Sequence, residues 1–297
     1  MDSTKKYRKW LGENTAALAG KRVAITGSTG GLGKQLCTYL ASLGATLVLV
    51  DRNRKKSETL RDALLERFSE AKIECVSCDL EDMATVRSAT ETLLGMDIDV
   101  FVHNAGAYAI ERKICDTGYD NVFQINFVSA YYMIKKLALG IRERGGKIVV
   151  VGSIAHNYSH IDKNSIDYKD RNRASLVYGN AKRHLMFSLY KLFEETPETL
   201  SIVHPGITFT GITAHYPPLI YALIKHPMKV VFMNPSKAAL SLLSGVFENL
   251  GYCEWIGPRV FDVWGMPRKK KLKTAKEEEI QEIFDRAEKI YREIDGV

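Results

Sequence analysis

The sequence predicts a doubly wound α/β fold, with a parallel sheet of about seven strands, helices on both faces and a further helix at the C-terminal end. Three observations lead there. Short apolar runs alternate with longer stretches of helical periodicity. The apolar runs are continuous, as in Ala45–Val50 (ATLVLV), which suits strands buried on both faces. The first run also passes directly into a glycine cluster that opens the first helical stretch.

Taken in order, the predicted strands are Lys21–Thr26, Ala45–Val50, Ile73–Cys78, Ile98–Val102, Lys147–Val151 and Leu200–His204, with Cys253–Ile256 as the last. The helical patterns between them are Gly31–Leu43, Ser57–Phe68, Met83–Leu94, Tyr119–Arg144, Ser175–Glu195 and Pro235–Asn249. This alternation implies βαβ crossovers in one domain over residues 1–297, with its core at about 20–260. Two segments read as additions. Residues 212–233, including the apolar stretch His215–Met233, read as a substrate lid, with a packing helix or shallow membrane contact as alternatives. Residues 269–297 read as a C-terminal helical extension, basic at its start and amphipathic from there to Ile294.

With 45% apolar and 26% charged residues, the chain has the composition of a soluble globular protein. The net charge of +7 has local sources at Lys5–Lys9, Arg52–Lys56 and Arg268–Lys273. No nucleic-acid motif accompanies it, so no nucleic-acid partner is expected. Five scattered cysteines, among them the pair Cys75 and Cys78, lack a second pair or a nearby histidine and read as free thiols. His156, His160, His204 and His215 have no carboxylate or cysteine at ligand spacing, so no metal is expected. Met1–Arg22 has no apolar signal core and no 18-residue apolar stretch occurs, so the expected location is the cytoplasm.

The glycine cluster Thr26-Gly27-Ser28-Thr29-Gly30-Gly31-Leu32-Gly33 stands at the first strand-to-helix turn. Glycine lets the backbone turn tightly and approach a diphosphate, and the helix start offers free N–H groups to it. Gly27, Ser28, Thr29, Gly31, Leu32 and Gly33 are the expected contacts of a dinucleotide, in a Rossmann-type fold. At the end of the second strand, Asp51 would accept from ribose hydroxyls and favour NAD. Its neighbour Arg52 would favour NADP. The position of Asp51 at the strand end tilts the expectation to NAD, with NADP the alternative. Asp79 and Leu80 follow the third strand, where Asp79 meets the adenine amino group or caps the next helix.

Tyr178 and Lys182 lie one helical turn apart on one face. An ammonium there would draw down the proton affinity of the phenol, which ordinarily titrates near 10. Ser153 ends a buried strand, whose carboxyl end faces the ligand crevice. Asn104-Ala105-Gly106 closes the fourth strand, and Asn126 stands inside the following helix, where an amide is slightly unfavourable unless it bonds backbone or water.

In this order and spacing, Thr26-Gly27 through Gly31 and Gly33, Asn104-Ala105-Gly106, Asn126, Ser153, Tyr178 with Lys182, and Pro205-Gly206 resemble the short-chain dehydrogenase/reductase family over about residues 20–260. The resemblance implies that Tyr178 exchanges the proton, Lys182 tunes it and holds the nicotinamide ribose, Ser153 orients the substrate and Asn126 holds a relay water. It also implies that Pro205, Gly206, Ile207 and Thr210 meet the nicotinamide, Thr210 through its carboxamide. The segment Ser153–His156, the long gap to Tyr178 and Val203-His204-Pro205-Gly206 look like the retinol-dehydrogenase-like branch. That branch implies a small lipophilic alcohol, ketone or aldehyde of steroid, retinoid or lipid type. His103 departs from the family, which usually has asparagine there. Asp51 departs from the branch, which often has a small residue before its NADP-selecting arginine. Similar enzymes pair long helices such as Tyr119–Arg144 and Ser175–Glu195, so a homo-oligomer is an expectation. Two other classes compete with hydride transfer: a non-catalytic dinucleotide sensor and a sugar-nucleotide epimerase on a related fold.

Overall fold

The computed structural model describes residues 3–207, 233–273 and 275–296. Eight strands form one sheet in the order β3-β2-β1-β4-β5-β6-β7-β8. The first seven are parallel: β1 Arg22–Thr26, β2 Thr46–Asp51, β3 Ile73–Ser77, β4 Val100–His103, β5 Lys147–Val151, β6 Leu200–Val203 and β7 Glu254–Val260. The eighth, β8 (Trp264–Lys271), runs antiparallel to β7 at the edge.

The helices are α1 Ser3–Asn14, α2 Gly31–Ser42, α3 Arg54–Arg67, α4 Met83–Leu94, α5 Ser129–Glu143, α6 Ala174–Leu192, α7 Pro235–Phe247 and α8 Glu277–Asp295. They divide between the two faces because successive strand residues point to opposite sides. Val48 and Val50 of β2 join the core beneath α4, α5, α6 and α8, whereas Leu47 and Leu49 join the core beneath α2, α3 and α7. Burial on both faces explains why the strands read as unbroken apolar runs.

Strand order reverses between β1 and β4, which both pair in parallel and both end at the same side of the sheet. In an open α/β sheet a crevice for ligands forms at such a reversal. The glycine turn, the 104–106 segment and the end of β5 all converge there.

Three local outcomes differ from the sequence reading. The basic start of the supposed C-terminal helix is β8, and the helix begins only at Glu277. Pairing with β7 overrides the helix propensity of the lysines. An additional helix, α1, precedes β1, with Trp10 and Leu11 packed on the core beneath α2. The helix expected from Tyr119 begins instead at Asn121 and opens into a wider π-helical segment, Gln124–Val128, before α5. No described helix is long and apolar enough to cross a membrane.

Candidate active site

The glycine turn has the form its sequence requires. Gly27 takes φ +67°, and a Cβ there would stand 2.9 Å from the Ala105 Cα. Gly33 lies in the first turn of α2, where a Cβ would collide with the Gly27 carbonyl oxygen. Helix and turn therefore pack backbone to backbone. Gly30 sits at the N-cap of α2 with no side chain satisfying the first N–H groups, and it is exposed. Those donors and the positive end of the helix suit a diphosphate, so the turn fits a dinucleotide.

Asn104 locks β1 to β4. Its side chain donates to the carbonyls of Thr26 (3.1 Å) and Gly27 (2.9 Å), and its backbone N–H donates to the Thr26 hydroxyl. Ala105 N–H donates to the same hydroxyl. Gly106 faces Asn126 and Lys182: a Cβ there would lie 2.7 Å from Asn126 Oδ1 and 3.6 Å from Lys182 Nζ. Asn126 sits in the π-helical segment, a feature often found at functional sites. Its amide nitrogen donates to the carbonyls of Ala107 and Val122, each at 2.8 Å, and its oxygen accepts from Ala107 N–H.

Asp51 is buried, 5% exposed. It accepts from the hydroxyls of Ser28, Thr29 (3.0 Å) and Ser57 (3.1 Å) and from Thr29 N–H (3.2 Å). A carboxylate has about four lone-pair sites, and these four bonds fill them. Arg52, Lys55 and Lys56 stand exposed just beyond. Asp79 accepts from Glu81 N–H at 3.1 Å, while Asp82 is the cap of α4. Leu80 is a core side chain whose carbonyl is taken by the Ser129 hydroxyl, so the structure brings its side chain to the hydrophobic core.

Ser153 caps the 3₁₀ turn Ile154–Tyr158 that follows β5, and its hydroxyl accepts from Ala155 N–H at 3.2 Å. The same hydroxyl lies close enough to the Tyr178 phenol to lower its proton affinity. Lys182 Nζ lies 5.7 Å from the centroid of the Tyr178 ring and donates to the Val151 carbonyl at 2.9 Å. Burial pulls Lys182 down to about 8. Burial pushes Tyr178 up to about 12, against the neighbouring Ser153 hydroxyl, which lowers it. In the chain by itself desolvation therefore outweighs the serine, and the proton affinity of the phenol is raised.

Pro205 and Gly206 are buried at the end of β6, Gly206 with φ +83°, and Ile207 O accepts from Met233 N–H at 2.9 Å. Thr210 and residues 212–232 of the expected lid lie outside the described residues. The sequence reading missed Tyr108, whose ring meets Tyr178 edge-on at 5.3 Å. Its place just beyond Asn104-Ala105-Gly106 was the available signal.

Residues 21–166 match the model of the short chain dehydrogenase family. The glycine turn and Ser153 lie within the matched residues, and Tyr178 and Lys182 follow them on α6. The chain is similar to the short-chain dehydrogenase/reductase family.

Retinol dehydrogenase 14 of Homo sapiens is 27% identical over 77% of this chain and 74% of its own length. The short-chain dehydrogenase TIC 32 A, chloroplastic, of Brassica napus is 29% identical over 64% of this chain, and the match spans 65% of that protein. Among solved structures, an uncharacterised protein from Mycobacterium Paratuberculosis superposes with TM-score 0.70 at 19% identity, covering 96% of this chain and 97% of that one. The NADPH-dependent 3-quinuclidinone reductase from Rhodotorula Rubra gives TM-score 0.60 at 18% identity, covering 78% and 86%. These solved structures share the fold of this chain.

Proposed function

We propose that this chain is an NAD(P)-dependent oxidoreductase that interconverts a lipophilic alcohol and its ketone or aldehyde, with Tyr178 as the acid/base. The observation that carries the reading is the placing of Tyr178 beside Lys182, with Ser153 at the end of β5, at the strand ends next to the glycine turn. A bound nicotinamide dinucleotide supplies the hydride and, when oxidised, a positive ring near the phenol. Ser153 holds the substrate oxygen. In the reducing direction the Tyr178 O–H bond breaks and its proton goes to that oxygen as the carbonyl carbon gains the hydride. Lys182 stabilises the phenolate left behind, and solvent returns the proton. Asn126 fixes the backbone of Ala107 at the base of the site and holds the relay water.

The lipophilic substrate class is supported by the likeness to retinol dehydrogenase 14 and by the Tyr108 ring against Tyr178. On the cofactor, the four bonds already accepted by Asp51 leave no site for a ribose hydroxyl, and the exposed Arg52 stands beside it. This moves the reading from NAD towards NADP, with Arg52 on the 2′-phosphate.

The test is a panel of steroid, retinoid and aliphatic alcohols and carbonyls, followed by nicotinamide absorbance with NAD and NADP in parallel. Tyr178→Phe is expected to lower kcat by about 10²–10⁴-fold with cofactor affinity kept. Near-normal turnover by that variant overturns the mechanism. NADP is expected to be preferred by about tenfold or more, and Arg52→Ser to erase the preference. A wild-type preference for NAD returns Asp51 to the ribose.

A further inference from the structure

Arg183 follows Lys182 on α6 and is 2% exposed. A guanidinium so buried must have its donors met. Its Nε and Nη2 donate to the two carboxylate oxygens of Glu279, at 2.8 and 2.6 Å, in the fork geometry that arginine and carboxylate share. Its Nη1 donates to the backbone carbonyl of His156 at 3.1 Å. The same cation lies over the Phe187 ring, 5.1 Å from its centroid.

His156 belongs to the 3₁₀ turn that begins just after Ser153, and its Nδ1 lies 2.5 Å from the Ser153 carbonyl oxygen. That turn also touches α6 elsewhere. The Ser159 hydroxyl donates to the Leu176 carbonyl at 2.6 Å, and Gly179 packs on the Ala155 carbonyl. Glu279 stands in the first turn of α8, far along the chain from either partner. The helix does not need it for docking: Ile280, Ile283, Ala287 and Ile290 are buried, and Glu288 pairs with Lys135.

We propose that Glu279 is a positioning residue: through Arg183 it holds the turn that follows Ser153 against α6, the helix that carries Tyr178 and Lys182. The C-terminal helix thereby sets the geometry of the site from beyond the run of motifs that ends at Pro205-Gly206. The proposal rests on the oxidoreductase reading for its kinetic readout only. Without Glu279, Arg183 is a buried cation that has lost its carboxylate fork, and it shifts outward or recruits water. Either movement releases the His156 carbonyl.

The full chain is compared with Glu279→Gln, Arg183→Lys and Glu288→Gln, the last loosening the same helix away from the site. Turnover, cofactor affinity by fluorescence and hydrogen exchange of the amides in Ile154–Tyr158 are measured. Glu279→Gln is expected to lower kcat by about tenfold, with cofactor affinity unchanged and exchange of the turn accelerated. Arg183→Lys keeps the charge but loses the fork, and should behave alike. Glu288→Gln should lower Tm and leave kcat as it was. Unchanged kcat and exchange in Glu279→Gln overturn the proposal, and so does an equal loss of kcat in Glu288→Gln. If the wild type turns over nothing in the panel, the oxidoreductase reading fails on its own. The brace then stands or falls on whether Glu279→Gln accelerates exchange in that turn alone.

Discussion

At the scale of single residues, the site places a lysine where burial opposes its charge. Lys182 is 1% exposed, and its pKa falls from 10.5 to about 8. Between these values the folded chain binds fewer protons than the unfolded chain, so stability rises with pH across that window. The full cost, about 3 kcal/mol, is borne below pH 8. Lys182→Met is therefore expected to raise Tm at pH 7 while abolishing turnover. The gap between variant and wild type should close from about pH 8 to 10.5, as read by thermal melts at stepped pH. A gap that stays constant would show that charge burial is not the cause. The sequence made the pair of Tyr178 and Lys182 visible, because helical spacing alone puts them on one face. It did not reveal that Tyr178 is pushed up to about 12, since desolvation depends on what the fold packs around the ring.

At the scale of elements, the turn between β1 and α2 depends on close backbone approach. Gly33→Ala would drive a methyl group into the Gly27 carbonyl and push α2 off the turn. Dinucleotide affinity is expected to fall by about tenfold or more, measured by fluorescence titration, because the helix N-terminus then misses the diphosphate. Affinity equal to wild type would mean that the turn does not bind phosphate. On the opposite side, Ile283 of α8 is fully buried against the core. Ile283→Ala is expected to cost about 2–4 kcal/mol in urea unfolding. A cost below about 1 kcal/mol would mean that α8 is only loosely docked. The glycine turn was legible because its chemistry is local. β8 was not: Lys269–Lys271 favour a helix by composition, and only the neighbouring β7 makes them a strand.

At the scale of the whole molecule, the helices expected to pair with a second copy carry α8 instead. Lys135 and Lys136 of α5 form ion pairs with Glu288 and Asp295, and Tyr131 donates to Glu288 at 2.6 Å. The edge strand β8 carries Pro267 and three consecutive lysines, residues that discourage pairing of sheet edges. Both routes to self-association are thus obstructed. Sedimentation velocity is expected to give a single species near the chain mass of 33.4 kDa. A stable dimer would show that another face does the pairing.

The sequence by itself determined the doubly wound sheet and the glycine turn, and it placed Ser153 at a strand end and Tyr178 and Lys182 on one helical face. Those features are written in local spacing and in apolar periodicity, which act over a few residues. Only the tertiary structure decided that Asp51 is saturated by Ser28, Thr29 and Ser57, that Tyr108 meets Tyr178, and that Glu279 reaches Arg183. Apart from Ser57, six residues from Asp51, those contacts join segments tens to about a hundred residues apart, and which acceptors and charges meet in a buried site is fixed by packing rather than by neighbours in the chain.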